Sequence, residues 1–187
     1  MTNELIDIYN EKNQFTGIQK LKSQAHRKGL WHRSTHVWIY RSSGEVLLQL
    51  RASKKILYPE LWDISVSGHV NAGEQPKIAA LREIKEEVGL TVDTKDLEFF
   101  KLIQARETYK NIQNNEHWYA YFLKLKKDVG TQKFKLQESE VEKVQFFSLK
   151  ELETQLRKMP EKFVPHGNYW FEIIQEIRGK TKTAERN

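Results

Sequence analysis

Residues 4–20 alternate apolar and polar positions through LIDIY, break in the polar cluster NEKNQ and return through FTGIQ, the pattern of a β-hairpin. The following stretch, 24–36, is polar and histidine-rich, so a loop is expected there. THVWIY and EVLLQLRA flank Arg41-Ser-Ser-Gly44 and predict a second hairpin. LWDISVSGHV (61–70) reads as one strand that runs into the glycine-containing loop NAGEQ. The strongest helix signal comes next. Pro76 stands where a first-turn proline costs nothing, Leu81, Ile84 and Val88 recur at i, i+3 and i+7, and Gly89 closes the run. Strands are expected near 97–105, 116–125 and 143–148, and a helix from Leu149 to Arg157. NYWFEIIQEIRGK predicts a last amphipathic helix, which places the C-terminal helices at about 149–180 and leaves TKTAERN as a frayed tail. Strands around one patterned helix, with more helices late, predict an α/β (α+β) sandwich.

Neither an internal repeat nor a linker interrupts the 187 residues, so one domain spanning 1–187 is expected. There is no cysteine, which excludes disulfides, thiolate metal sites and cysteine nucleophiles. The acidic, polar first residues do not resemble a secretory signal, and no apolar run is long enough to span a membrane; a cytoplasmic protein is expected. The net charge of +6 is spread along the chain (Lys20, Lys22, Arg27, Lys28 and Arg33 early, Lys124, Lys126 and Lys133 late) rather than gathered into a stripe. Nucleic-acid binding and membrane association are therefore not expected.

The central helix carries the candidate chemistry. Glu83, Glu86 and Glu87 fall at i, i+3 and i+4 and project from one side, away from the apolar stripe. Like charges at this spacing repel, and a hard divalent cation such as Mg²⁺ takes oxygen ligands of this kind. Arg82 can fix a neighbouring carboxylate through its planar fork. Glu74 lies at the helix start, where the dipole favours negative charge. Gly68 lets the backbone approach closely, so its carbonyl is a candidate further ligand. REIKEE alone would be an ordinary solvated face; the surrounding frame changes that.

GHVNAGEQPKIAALREIKEEVGL matches the Nudix signature at all nine specified positions over 23 residues: Gly68, Glu74, Arg82-Glu83-Ile84, Glu86-Glu87 and Gly89-Leu90. The chain thus resembles the Nudix hydrolases. That resemblance implies an α/β/α sandwich with a mixed β-sheet, with the Nudix box at 68–90. It implies Mg²⁺ or Mn²⁺ bound by Glu83, Glu86, Glu87 and the Gly68 carbonyl, with Arg82 orienting Glu83. The implied reaction is hydrolysis of a phosphoanhydride bond in a nucleoside diphosphate linked to another moiety, or in a similar small diphosphate. The general base varies within the family; Glu116, Glu138 and Glu140 are candidates.

A second resemblance covers roughly residues 5 to 150. HRKGLWHRSTHVWIY, LLQLRASKKILYPELWDISVSGH and NNEHWYAYF are similar to isopentenyl-diphosphate isomerase, a Nudix-fold relative. It implies a second metal site at His26, His32, His69 and Glu116, with Asn114 where a further glutamate would stand. The isomerase's catalytic cysteine falls at Ser67, whose hydroxyl has too high a pKa for that proton transfer. Since the Nudix box is intact, a hydrolase is expected, with an isomerase-like enzyme or a non-catalytic ligand-sensing Nudix module as alternatives. Arg51, Lys54, Lys55 and Tyr58 are candidate phosphate or substrate contacts. Trp31, Trp38, Trp62 and Trp118 are candidate stacking partners or core residues. His26, His32 and His36 in the expected loop, with His69 beside Gly68, are candidates for a second metal site of the kind imidazole prefers, whereas His117 and His166 carry no signal. The expected partner is a small-molecule diphosphate; a homodimer is compatible with the sequence.

Overall fold

The structure, a computed structural model, describes residues 4–110, 112–126 and 130–184. Its elements in chain order are β1 (Leu5–Tyr9), β2 (Phe15–Leu21), α1 (Lys22–Lys28), β3 (His32–Tyr40), β4 (Glu45–Arg51), β5 (Trp62–Asp63), β6 (Val66–His69), α2 (Pro76–Val88), β7 (Leu97–Tyr109), β8 (Ile112–Lys124), β9 (Val141–Ser148), α3 (Leu149–Lys158) and α4 (Tyr169–Ala184). β1 and β2 form a two-stranded sheet. The other strands form a seven-stranded sheet of order β5-β4-β3-β8-β7, with β6 on β3 and β9 on β4. The α+β expectation is met. The chain falls into two compact units, Met1–Val37, Ser67–Lys85 and Thr91–Phe122 in one and Trp38–Val66, Glu86–Leu90 and Leu123–Asn187 in the other.

In the first unit the expected hairpin pairs Leu5 with Leu21 and Ile8 with Ile18. Its turn is closed by Asn10, whose Oδ1 accepts the Gln14 N–H at 3.0 Å. Ile6, Ile8 and Ala25 form a small core against which Leu30 packs. Ala25 belongs to α1, where the sequence pattern predicted a loop. This helix has no side-chain N-cap, buries a single residue and ends at Gly29 in the left-handed conformation (φ 58°). It lacks the apolar stripe that would announce it, and packing of Ala25 supplies what periodicity does not. The loop after β6 is tied to the hairpin: Ala72 N–H donates to the Leu5 carbonyl at 2.8 Å and Gly73 N–H to Asp7 Oδ2 at 2.9 Å.

In the second unit β4 is buried on both faces, which is why it reads as a continuous apolar run. It pairs antiparallel with β9 from Glu45↔Ser148 to Arg51↔Val141 and with β5 at Leu50↔Trp62. The single strand expected over 61–70 is two short ones. Ser65, between them, accepts the Ile39 N–H and donates to the Leu47 carbonyl, so the break is stitched to both neighbours. Leu152 of α3 and Ile173, Ile174 and Ile177 of α4 are fully buried, and Trp38 donates to the Tyr169 hydroxyl at 2.8 Å. α4 runs on to Ala184, so the first part of the expected frayed tail is helical; 185–187 lie outside the described residues.

Candidate active site and metal centre

The loop entering α2 is self-bonded: Asn71 N–H donates to Glu74 Oε2 and Glu74 N–H to the Asn71 carbonyl, both at 3.0 Å. Glu74 is thereby aimed back along the helix at Arg82. The Arg82 Nε donates to Glu74 Oε1 at 3.1 Å, Nη2 to Glu74 Oε2 at 2.9 Å, and Nη1 to Glu83 Oε1 at 2.7 Å. Nη2 also donates to the His69 carbonyl at 2.9 Å. One guanidinium therefore holds Glu74, Glu83 and the end of β6 together. A planar, permanently charged fork does this where a lysine could not.

Gly68 meets Glu83 directly: a Cβ at Gly68 would lie 2.0 Å from Glu83 Cδ and 2.2 Å from Oε1. Only glycine leaves room for that carboxylate against the strand. The cradle fits the expected divalent ion, because it presses an acidic oxygen against a main-chain segment with its own carbonyl.

Burial divides the three glutamates of α2. Glu86 is exposed, but Glu87 is only 3% exposed, buried like Ile84 and Val88. Gln49 Nε2 donates to Glu87 Oε2 at 3.4 Å. A carboxylate kept charged in such surroundings calls for compensating positive charge or hydrogen bonds.

The second cluster comes together as the isomerase-like residues imply. His26, His32, His69 and Glu116 each offer a ligand atom, all within 4.8 Å of one another. His26 Nε2 lies 3.1 Å from His69 Nε2; Glu116 Oε1 lies 3.2 Å from both His32 Nε2 and His69 Nε2. His32 Nδ1 sits 2.8 Å from the Leu30 carbonyl; a proton held there would leave Nε2 free to bind an ion in the cluster. Trp118 Nε1 donates to Glu116 Oε2 at 2.6 Å. Burial, followed by the neighbouring His32, pushes His26 down to about 4, and burial holds His69 well below the usual imidazole range. Burial alone would raise Glu116, but its bonds from His32 and His69 outweigh it and hold the carboxyl well below the usual carboxylate range. Three imidazole nitrogens and a carboxylate gathered within 4.8 Å, once their shared protons are displaced, are a donor set suited to a divalent transition ion. Asn114, two residues before Glu116 on the same strand face, is buried with its Oδ1 lacking a hydrogen-bond partner among the described residues, a further oxygen suited to that set.

The remaining candidates are placed elsewhere. Arg51, expected as a phosphate contact, turns its guanidinium inward: Nη1 donates to Asp63 Oδ2 at 2.8 Å, and Nε and Nη2 donate to the Leu57 carbonyl. Lys55 pairs with Glu140. Lys54 and Glu138 line an open cleft with Ser53, Glu60 and Glu142. Tyr58 stands in the same loop with φ 48°. Trp38 and Trp118 are buried, Trp62 packs edge-on against Phe147, and Trp31 stacks on His117 at 4.7 Å. Sequence reasoning missed the Trp118–Glu116 bond, although the spacing of two along a strand puts both on one face. It also missed the buried Asp63–His166 pair, 2.7 Å apart and 103 residues apart in sequence, for which no local signal exists.

The NUDIX domain model matches residues 30–167. The chain is 33% identical over 195 aligned positions to Nudix hydrolase 3 of Arabidopsis thaliana, covering all of this chain but only a quarter of that protein. It is 31% identical to the Nudix hydrolase lin0387 of Listeria innocua, covering 94% of this chain and 95% of that one. The isopentenyl-diphosphate Delta-isomerase of Pectobacterium atrosepticum is 28% identical, with 89% and 86% covered. The crystal structure of DR0079 from Deinococcus radiodurans superposes with a TM-score of 0.67 at 20% identity, covering 93% and 99%, and shows the same fold. With an unbroken signature on α2 and these relatives, the chain belongs to the Nudix hydrolase family.

Proposed function

We propose that this chain, with residues 1–187 acting as one Nudix domain in the cytoplasm, hydrolyses a phosphoanhydride bond in a small diphosphate, a nucleoside diphosphate linked to another moiety or a compound of similar chemistry, with Mg²⁺ or Mn²⁺. The observation that carries the reading is Arg82 clamping Glu74 and Glu83 while Gly68 leaves space for the Glu83 carboxylate. Glu83, Glu86, Glu87 and the Gly68 carbonyl are the residues that would hold the ion. Bound there, it would offset phosphate charge and lower the pKa of the attacking water. Arg82 keeps Glu83 in one rotamer, so the acidic oxygen is in place before substrate arrives. Glu116, Glu138 and Glu140 are the candidate general bases; Glu116 lies in the imidazole cluster and Glu138 lines the open cleft.

The His26/His32/His69/Glu116 cluster supports a second, structural or substrate-orienting, divalent ion. The same cluster is the observation that favours an isomerase-like activity, against which stands Ser67 in place of a thiol. A panel of nucleoside di- and triphosphates, nucleotide sugars, dinucleotides, prenyl diphosphates and thiamine diphosphate, assayed with Mg²⁺, tests both. Release of phosphate or a monophosphate that Glu86→Gln lowers by orders of magnitude supports hydrolysis. Conversion of isopentenyl diphosphate that Glu86→Gln leaves intact would replace it with isomerisation, and tight binding without any turnover with ligand sensing.

A further inference from the structure

We infer that Arg82 couples the two candidate metal sites, so that an ion in the imidazole cluster tightens Mg²⁺ binding at the carboxylates of α2. The inference rests on the proposed metal-dependent reading and deepens it.

The coupling runs through two consecutive residues. Gly68 abuts the Glu83 side chain, and His69 places its ring in the cluster, 3.1 Å from His26 Nε2 and 3.2 Å from Glu116 Oε1. The His69 carbonyl then accepts from Arg82 Nη2, while Nη1 of the same guanidinium holds Glu83. Glu74 fixes the remaining edge of the fork through Nε and Nη2. Because the guanidinium is rigid and planar, the His69 carbonyl, Glu74 and Glu83 cannot move independently while it is bound to all three.

An ion in the cluster fixes the His69 ring and, through its backbone, the carbonyl that Arg82 grips. The clamp that holds Glu83 against Gly68 then opens less often, and Mg²⁺ meets its ligand in place a larger share of the time. Repulsion between two dications opposes this, but Glu116 and the α2 carboxylates lie among the ligands and offset it. Linkage requires reciprocity: Mg²⁺ must tighten the cluster ion by the same factor.

The test uses the full chain, with Zn²⁺ as the probe for the cluster because imidazole prefers it, and Mg²⁺ as the probe for the carboxylates. Isothermal titration with Mg²⁺ is compared between zinc-free protein and protein carrying one equivalent of Zn²⁺. Wild type should show Mg²⁺ binding about fivefold tighter with Zn²⁺ present, at the lower end of measured couplings. Arg82→Lys keeps the charge but cannot span three acceptors, so Mg²⁺ should bind more weakly both with and without Zn²⁺ and the fivefold difference between the two should disappear. A full difference in Arg82→Lys, or none in wild type, overturns the inference. Should Arg82→Lys fail to fold, Glu74→Gln, which weakens the anchor of the fork, must shrink the difference, and an unchanged difference overturns it equally. Failure of the underlying reading shows differently: Mg²⁺ affinity that ignores Glu86→Gln, or zinc affinity that ignores His32→Ala, means that the sites themselves are misassigned.

Discussion

The Cα of Gly68 and the carboxylate of Glu83 are in van der Waals contact, close enough that a Cβ on Gly68 would fall 2.0 Å from Glu83 Cδ. Gly68 lies on β6 without a left-handed φ, so it is glycine for want of space and not for backbone freedom. Alanine fits the strand conformation but must displace Glu83, breaking its 2.7 Å bond from Arg82. Gly68→Ala should therefore melt within a few degrees of wild type while hydrolysing its substrate about 100-fold more slowly, the effect of a displacement on the order of 1 Å at a reacting centre. Steady-state kinetics beside a thermal melt decide it; an unaltered kcat would mean that Glu83 need not sit where it does.

Glu60 is held in the left-handed region at φ 60°, its N–H donating to the Arg51 carbonyl at 3.1 Å. A side chain costs about 1–2 kcal/mol in that conformation, and β-branching raises the cost. Glycine removes the strain but loses about 0.5–1 kcal/mol to the freedom of its unfolded chain. Glu60→Gly should thus be neutral to slightly stabilising and Glu60→Val destabilising relative to wild type by the extra cost of β-branching at a positive φ. Urea unfolding ranks the three; valine matching glycine would show that the loop relaxes at no cost.

Asp63 is buried with His166 Nε2 2.7 Å from one oxygen and Arg51 Nη1 2.8 Å from the other. Burial pushes its carboxyl up, but His166 and then Arg51 outweigh it and hold it far below the usual value of 3.8. A depressed carboxyl stabilises the fold above its unfolded pKa and loses that contribution as pH falls towards the folded value. The loss therefore begins near pH 4 and deepens below it, leaving neutral pH untouched. Asp63→Asn should lower stability at pH 7 by about 3–5 kcal/mol, as breaking a buried pair does, and flatten the acid limb of the profile. Denaturant midpoints from pH 7 to pH 2.5 measure both; parallel acid limbs in wild type and variant would assign the acid sensitivity to other groups.

What could be read in advance follows a physical line. α2 was legible because Pro76, the Leu81/Ile84/Val88 spacing and Gly89 (φ 71°) are local signals that the fold leaves in place. α1 was not, because a helix from Lys22 to Lys28 that buries only Ala25 carries no periodicity. The spacing that groups Glu87 with Glu83 and Glu86 says nothing of burial, and the buried arc of α2 extends over it, with Gln49 reaching it from β4. The imidazole cluster joins residues as far apart as His26 and Glu116. No composition or spacing rule finds such a grouping; it came from resemblance to a family, and the distances then supplied the chemistry.

The Trp118 indole, 2.6 Å from Glu116 Oε2, holds that carboxylate so that its other oxygen faces His32 and His69. Phenylalanine would keep ring packing against His36, whose centroid lies 4.5 Å away, while removing the N–H. Partners of this kind orient ligands, and their loss weakens metal affinity by about 10–100-fold. Under saturating Zn²⁺ each tenfold loss subtracts about 1.4 kcal/mol from the stabilisation that binding adds, or about 3–5 °C in a chain of this size. The zinc-induced rise in melting temperature should therefore be smaller by about 3–10 °C in Trp118→Phe. Taking the difference between zinc-loaded and chelator-treated protein cancels whatever the lost hydrogen bond costs the metal-free fold. If the two proteins show the same rise, the indole serves packing alone, and the orientation of Glu116 must come from His32 and His69 themselves.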